Sequence, residues 1–263
     1  MISPLAATEL FAALILAALV LGLLGHLLAL RRRLPLTLAQ SVCYGLNVLV
    51  ARILWGARGD RSLPAVASQG AVIVCNHRSP ADPSFIQLAT CRPVRWMVAR
   101  EFCRSRAYGW LLRLARVIPT GRAGIDTAAT REAIRQARDG GLLGVFPEGR
   151  INRGEGLLLP GRPGAALIAL KARVPVIPCY LDGAPFAGTI VRSLLRSDRV
   201  KVRFGRPIDL SAFYGRERER EVLEELTRRF LREIARLAGH PDYEPQLAGR
   251  FYKPLPERHG VRA

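Results

Sequence analysis

The chain has 263 residues, 49% hydrophobic and 23% charged, which excludes a disordered polymer and allows one sizeable α/β domain with a small appendage. Its formal net charge of +19 is carried by arginine, since Lys171, Lys201 and Lys253 are the only lysines, and it points to an anionic partner, either nucleic acid or a membrane surface. Arginine-favouring base composition gives the same balance, and no RNA-binding aromatic motif or zinc finger accompanies the charge, so nucleic acid is not expected.

From Leu10 to Leu30 (LFAALILAALVLGLLGHLLAL) there is no formal charge, and 21 such residues in a helix span roughly 30 Å, the thickness of a bilayer's hydrocarbon core. Arg31, Arg32 and Arg33 follow, while the segment before the run carries Glu9 and no basic side chain. That order is the reverse of a cleavable signal peptide and predicts a retained anchor, a buried core hairpin being the competing reading. By the positive-inside rule the rest of the chain lies on the cytoplasmic side of the cytoplasmic membrane. Leu36 to Gly56 is a second apolar helical segment. It could cross the bilayer, but Gly45, Asn47 and Arg52 suit a helix lying in the interface. Residues 1–56 thus form a membrane anchor and 57–263 the folded domain, with Ala57 to Gly70 as a linker rich in turn formers and charge.

From Ala71 short apolar strands alternate with helices. Strands are expected at Ala71 to Cys75, Val94 to Ala99, Val117 to Pro119, Leu142 to Phe146, Val174 to Tyr180 and Arg199 to Phe204. Helices are expected at Ser84 to Thr90, Glu101 to Leu114, Thr127 to Arg138 and Ala165 to Ala172, with an amphipathic helix over Arg216 to Leu237. This order predicts an α/β fold whose mostly parallel central sheet is flanked by helices. The five cysteines are odd in number and make no Cys-x-x-Cys pair, which suggests neither a disulfide framework nor a zinc site and fits a reducing compartment.

Three stretches carry chemistry. VCNHRSPADPSF, Val74 to Phe85, ends a strand in Asn76-His77 and places Asp82 five residues on. Asp82 is a good helix cap and Pro83 suits the first helical position, but neither explains a histidine at a strand end. GVFPEGRINRGEG, Gly144 to Gly156, runs from a strand into a glycine-rich loop with Arg150 and Arg153. Such a loop can approach and neutralise a phosphate, because glycine removes the Cβ and guanidinium offers a planar fork of donors. ARVIPTGRAG, Ala115 to Gly124, leads a strand to Arg122. Singly, each arginine reads as a surface residue.

Taken in order, these blocks resemble the glycerolipid acyltransferases of the 1-acylglycerol-3-phosphate acyltransferase type. The matching residues are Asn76-His77 with Asp82, the strand ending at Arg122, Phe146-Pro147-Glu148-Gly149, and Val174 to Pro178, with VRFGRPIDL at Val202 to Leu210 beyond them. The resemblance implies an enzyme that moves a fatty acyl group from acyl-CoA or acyl-carrier protein to the free hydroxyl of a lysophospholipid, giving phosphatidic acid when the acceptor is 1-acylglycerol-3-phosphate. It needs no cofactor beyond the thioester co-substrate, and no metal cluster is evident. His77 would be the general base and Asp82 its orienting carboxylate. The absence of a Gly-x-Ser-x-Gly agrees with the substrate hydroxyl being the nucleophile. Cys75, close by, reads as a small buried strand residue.

Arg122, Arg150 and Arg153, with Glu148 and Gly149, would form the acceptor site, Glu148 either tying the loop together or contacting the glycerol end. The chain departs from the family's pattern in two places. Arg116 stands where Gly is usual and Gly121 precedes Arg122, and Arg150-Ile151 replaces the usual Thr-Arg, which leaves Arg150 and Arg153 competing for one phosphate role. The acceptor therefore stays open to another lysophospholipid or to glycerol-3-phosphate. A membrane-anchored nucleic-acid-binding protein and a non-catalytic membrane scaffold are the readings from other classes.

Overall fold

The computed structural model describes residues 36–59, 63–121, 127–184 and 199–249, together with residues 22, 25, 28, 29 and 34. Seven strands form one sheet: β1 (Arg58–Gly59), β2 (Ala71–Cys75), β3 (Val94–Ala99), β4 (Ile118–Thr120), β5 (Leu142–Val145), β6 (Val176–Asp182) and β7 (Lys201–Phe204), in the order β1-β7-β6-β2-β5-β3-β4. Strands β2 to β6 all run parallel. Only β7, antiparallel to β6, and β1 beside it run the other way. The mostly parallel sheet expected from the alternation is therefore present.

A sheet covered on both faces needs strands that are apolar throughout, and β2 meets this with five fully buried residues. Its side chains alternate between two cores. Val72 and Val74 join Ala129, Ala133 and Ala137 of α5 (Thr127–Arg138), residues of α6 (Gly164–Ala172), and Val222, Leu226, Phe230 and Ile234 of α7 (Arg220–Leu237). Ala71, Ile73 and Cys75 join Trp55 of α1 (Leu38–Trp55) and Phe85 and Ile86 of α2 (Asp82–Thr90) on the other face. Helix α1 begins with a capping box, Thr37 Oγ1 accepting from the Gln40 N–H and Gln40 Oε1 from the Thr37 N–H, and ends on Gly56 at φ 49°.

Several expectations need correction. The single helix over Glu101 to Leu114 is two, α3 (Arg100–Cys103) and α4 (Gly109–Leu114). The chain folds back so tightly between them that a Cβ on residue 109 would lie 2.6 Å from the Cys103 carbonyl oxygen, so glycine is required there. The segment Ala57 to Gly70 is more than a linker, since it contains β1 and a 3₁₀ turn over Ala65–Gln69. Helix α7 starts at Arg220, four residues later than expected. Asp82 is the first residue of α2, with Ala81 at the cap position, so Asp82 is not the helix cap.

The expected anchor, Leu10 to Leu30 with Arg31 to Arg33, lies outside the described residues except for Gly22, Gly25, Leu28 and Ala29, which are helical. Among the described residues no helix is long and apolar enough to cross a membrane. Helix α1 nevertheless exposes Leu38, Val42, Leu46, Leu49 and Ile53, spaced three and four apart along one face.

Candidate active site

The five parallel strands end on one edge of the sheet, and the site is assembled where β2 stops between β5 and β6. Buried Asn76 extends the ladder one step with its side chain. Its Nδ2 donates to the Leu181 carbonyl at 3.0 Å and its Oδ1 accepts from the Leu181 N–H at 2.8 Å, which ties the end of β2 to β6.

His77 comes next and is held at four points. Its N–H donates to Glu148 Oε1 at 2.8 Å, its carbonyl accepts from the Asn152 N–H at 2.7 Å, and its Nδ1 lies 2.9 Å from Asp82 Oδ2. The fourth restraint is a ring: Phe146 stacks on the imidazole with centroids 3.8 Å apart and planes within 6°. Trp96 stacks in turn on Phe146 at 4.6 Å. Trp96 can do so because its partner in register on β5 is Gly144, where a Cβ would meet the indole at 2.5 Å.

Asp82 is fully buried, and its Oδ2 also accepts the N–H groups of Arg78 at 2.7 Å and Ser79 at 2.9 Å. An oxygen already accepting two backbone donors is an acceptor for the ring as well, so Nδ1 carries the hydrogen and Nε2 keeps the lone pair. The His77 side chain is 16% exposed, enough for a substrate hydroxyl to reach it.

Glu148 sits at the end of β5 and is nearly fully buried. Besides the His77 N–H, it accepts the Leu159 N–H on Oε2 at 2.7 Å, so it clamps the loop after β2 to the loop after β5. Burial pushes its carboxyl up to about 7 despite these two donors and the nearby Arg78. Of the two roles open from the sequence, tying the loop together is the one the hydrogen bonds carry. Gly149 turns the chain at φ 70°. From the other side Arg78 donates Nη1 to the carbonyls of Gly154 at 2.9 Å and Gly156 at 3.3 Å, and Asn152 Nδ2 donates to Gly156 at 2.8 Å.

Arg150, half-buried, and Arg153, exposed, flank Asn152 in this loop and are thereby brought near His77. Arg122 lies outside the described residues, two positions beyond the end of β4. The departure at Arg116 has a visible consequence. Its backbone is left-handed, φ 54°, a conformation that suits the glycine usual there and costs an L residue about 1–2 kcal/mol. The sequence reading missed Arg78, Phe146, Trp96, Gly144 and Asn152 as parts of the site. Asn76 carried a signal, a polar side chain where a buried strand ends, but the aromatic stack depends on register and left none.

A histidine paired with a buried carboxylate thus stands at the strand ends of a parallel α/β sheet, next to a glycine-rich loop. Residues 57–182, which include His77, Asp82 and Glu148, match the family model described as Acyltransferase, so the chain carries a domain of that family and is an acyltransferase. It is 27% identical over 201 residues to the 1-acyl-sn-glycerol-3-phosphate acyltransferase of Streptococcus pneumoniae, covering 73% of this chain and 71% of that protein. It is 23% identical over 167 residues to the protein of the same name from Bacillus subtilis, covering 62% of this chain and 80% of the relative. The fold resembles the crystal structure of the 1-acyl-sn-glycerophosphate (LPA) acyltransferase of Thermotoga maritima, with a TM-score of 0.52 and 21% identity over 75% of this chain and 82% of the other.

Proposed function

We propose that the chain transfers a fatty acyl group from a thioester, acyl-CoA or acyl-carrier protein, to the free hydroxyl of 1-acylglycerol-3-phosphate, forming phosphatidic acid. The observation that carries this reading is the 2.9 Å His77–Asp82 pair beside an arginine-bearing loop. With Nδ1 occupied by Asp82, Nε2 takes the proton of the acceptor hydroxyl as its oxygen attacks the thioester carbonyl. The imidazolium that forms faces the Asp82 carboxylate and returns its proton to the departing thiolate as the C–S bond breaks. Arg150 and Arg153, with Arg122, are the candidate donors to the acceptor's phosphate, and the relatives' names support that acceptor.

Residues 1–56 serve as the membrane anchor, α1 lying in the interface with its exposed apolar face toward lipid on the cytoplasmic side of the membrane. Purified membranes supplied with a panel of lysolipids and acyl donors should yield phosphatidic acid from 1-acylglycerol-3-phosphate, and His77→Ala should abolish it. Near-normal turnover in a folded His77→Ala protein overturns the mechanism, and a different preferred product reassigns the acceptor. Release of the chain by high salt without detergent would contradict the anchor.

A further inference from the structure

We propose that the helical pair α3 and α4, residues 100–116, is a docking surface for an anionic lipid bilayer, separate from the N-terminal segment, and that it turns the proposed site toward the membrane. The segment REFCRSRAYGWLLRLAR exposes Arg100, Arg104, Arg106, Arg113 and Arg116 against one acidic residue, Glu101. Among these arginines stand three large apolar side chains, Phe102, Trp110 and Leu111, which are 39%, 55% and 42% exposed. Scattered surface apolar residues are ordinary, but here they are gathered. Of the ten exposed large hydrophobic residues described, three lie on this pair and five on α1. The two elements touch, Gln40 Nε2 of α1 donating to the Leu114 carbonyl of α4 at 3.1 Å.

Trp110 is suited to a headgroup boundary in particular. Trp55 and Trp96 are buried, at 2% and 5% exposure, whereas the Trp110 indole stands out from the surface. Its Nε1–H already donates to the Ala107 carbonyl at 3.1 Å, so the ring can enter an apolar medium without taking an unsatisfied donor with it. An acidic protein would be matched by the arginines alone. The exposed aromatic and leucine side chains favour lipid. The pair also sits in the right place, since α3 directly follows the end of β3 and β3 runs parallel to β5 and β2. It therefore flanks the edge that carries His77 and Glu148.

The inference rests on the reading that the acceptor is a lipid held in a bilayer, but its test needs no turnover. The full chain is reconstituted into vesicles of phosphatidylglycerol and phosphatidylcholine, with and without brominated acyl chains, and tryptophan emission is recorded. The expected result is loss of most of the Trp110-dependent emission in brominated vesicles, identified as the component that Trp110→Phe removes. Quenching should weaken in pure phosphatidylcholine and on joint charge reversal by Arg104→Glu, Arg106→Glu and Arg113→Glu, with circular dichroism unchanged. Equal Trp110 emission in the two kinds of vesicle, in protein that floats with them, overturns the proposal. So does an indole shielded from acrylamide only when an acidic acyl-carrier protein is added, which would assign the surface to that partner. Quenching without acyl transfer to any lysolipid would instead overturn the proposed function and leave the docking surface standing.

Discussion

Replacing Asp82 with Asn would separate charge from geometry at the proposed base. Three donors converge on Oδ2, the His77 ring and the N–H groups of Arg78 and Ser79, so the amide oxygen of Asn takes that place and its NH₂ takes the position of Oδ1. The acceptor that fixes the imidazole tautomer survives, and only the negative charge facing the imidazolium is lost. With about 4 Å between charge centres and an effective dielectric constant of about 20, that attraction is about 4 kcal/mol as an upper bound, equivalent to about a thousandfold in rate. We therefore expect kcat to fall by about two to three orders of magnitude with little change in either KM, and Asp82→Ala, which loses the tautomer as well, to approach His77→Ala. Oδ1 is buried with no partner among the described residues, so the new NH₂ finds no acceptor there, and the variant should lose about 1–3 kcal/mol of stability. Thiol release from acyl-CoA by the purified protein in detergent measures the first effect and urea unfolding the second. A folded Asp82→Asn enzyme with kcat within about threefold of the wild type would refute the argument, since so small a loss corresponds to about 0.7 kcal/mol.

Glu148, raised to about 7 from an ordinary 4.5, binds a proton more readily folded than unfolded, so its contribution to stability declines as pH rises through that interval. Relative to Glu148→Gln, the wild type should lose up to about 3 kcal/mol between about pH 5 and pH 8 in urea unfolding, and a pH-independent difference would contradict the burial argument. Phe146→Leu should lower kcat about threefold to tenfold through loss of the stacked ring, with Phe146→Tyr close to wild type; equal activity of the two would show that the ring only fills space. Arg150→Ala should raise the acceptor's KM or lower kcat/KM about tenfold to a hundredfold while the donor's KM stays unchanged, with Arg153→Ala, at the more exposed position, showing less. Equal, small effects on donor and acceptor would place the phosphate elsewhere, and Arg122→Ala is read the same way.

The parallel core was legible because burial on both faces leaves an unbroken apolar run, as in AVIVC, and because turn formers bound each run. Elements without that signature were not legible. The two-residue strand β1 is recruited by pairing Arg58 and Gly59 with β7, and nothing local marks it as a strand. Gly109 looked tolerable inside a helical pattern because the close approach of the Cys103 carbonyl is a fact of three dimensions. The same holds at the site. His77 and Asp82 declare themselves through a spacing of five residues, whereas the clamp by Glu148 and the stack of Phe146 and Trp96 depend on which strands become neighbours. Asp82 shows the reverse error, a residue type correctly linked to a helix start but engaged with the loop before it.

Of the restraints on His77 and the strand end that carries it, only Asp82 is near in sequence. Glu148 is 71 residues away, and the Asn76–Leu181 hooks close a separation of 105. During synthesis the ribosome thus releases the histidine and its carboxylate long before the strands that fix them. Until Leu181 has emerged and β6 has docked, the growing chain carries both groups without a fixed orientation, and pairings over such distances form late. Acyl transfer is in this sense a property of a nearly finished domain, and a polypeptide cut short before β6 would carry the HxxxxD signature without the activity.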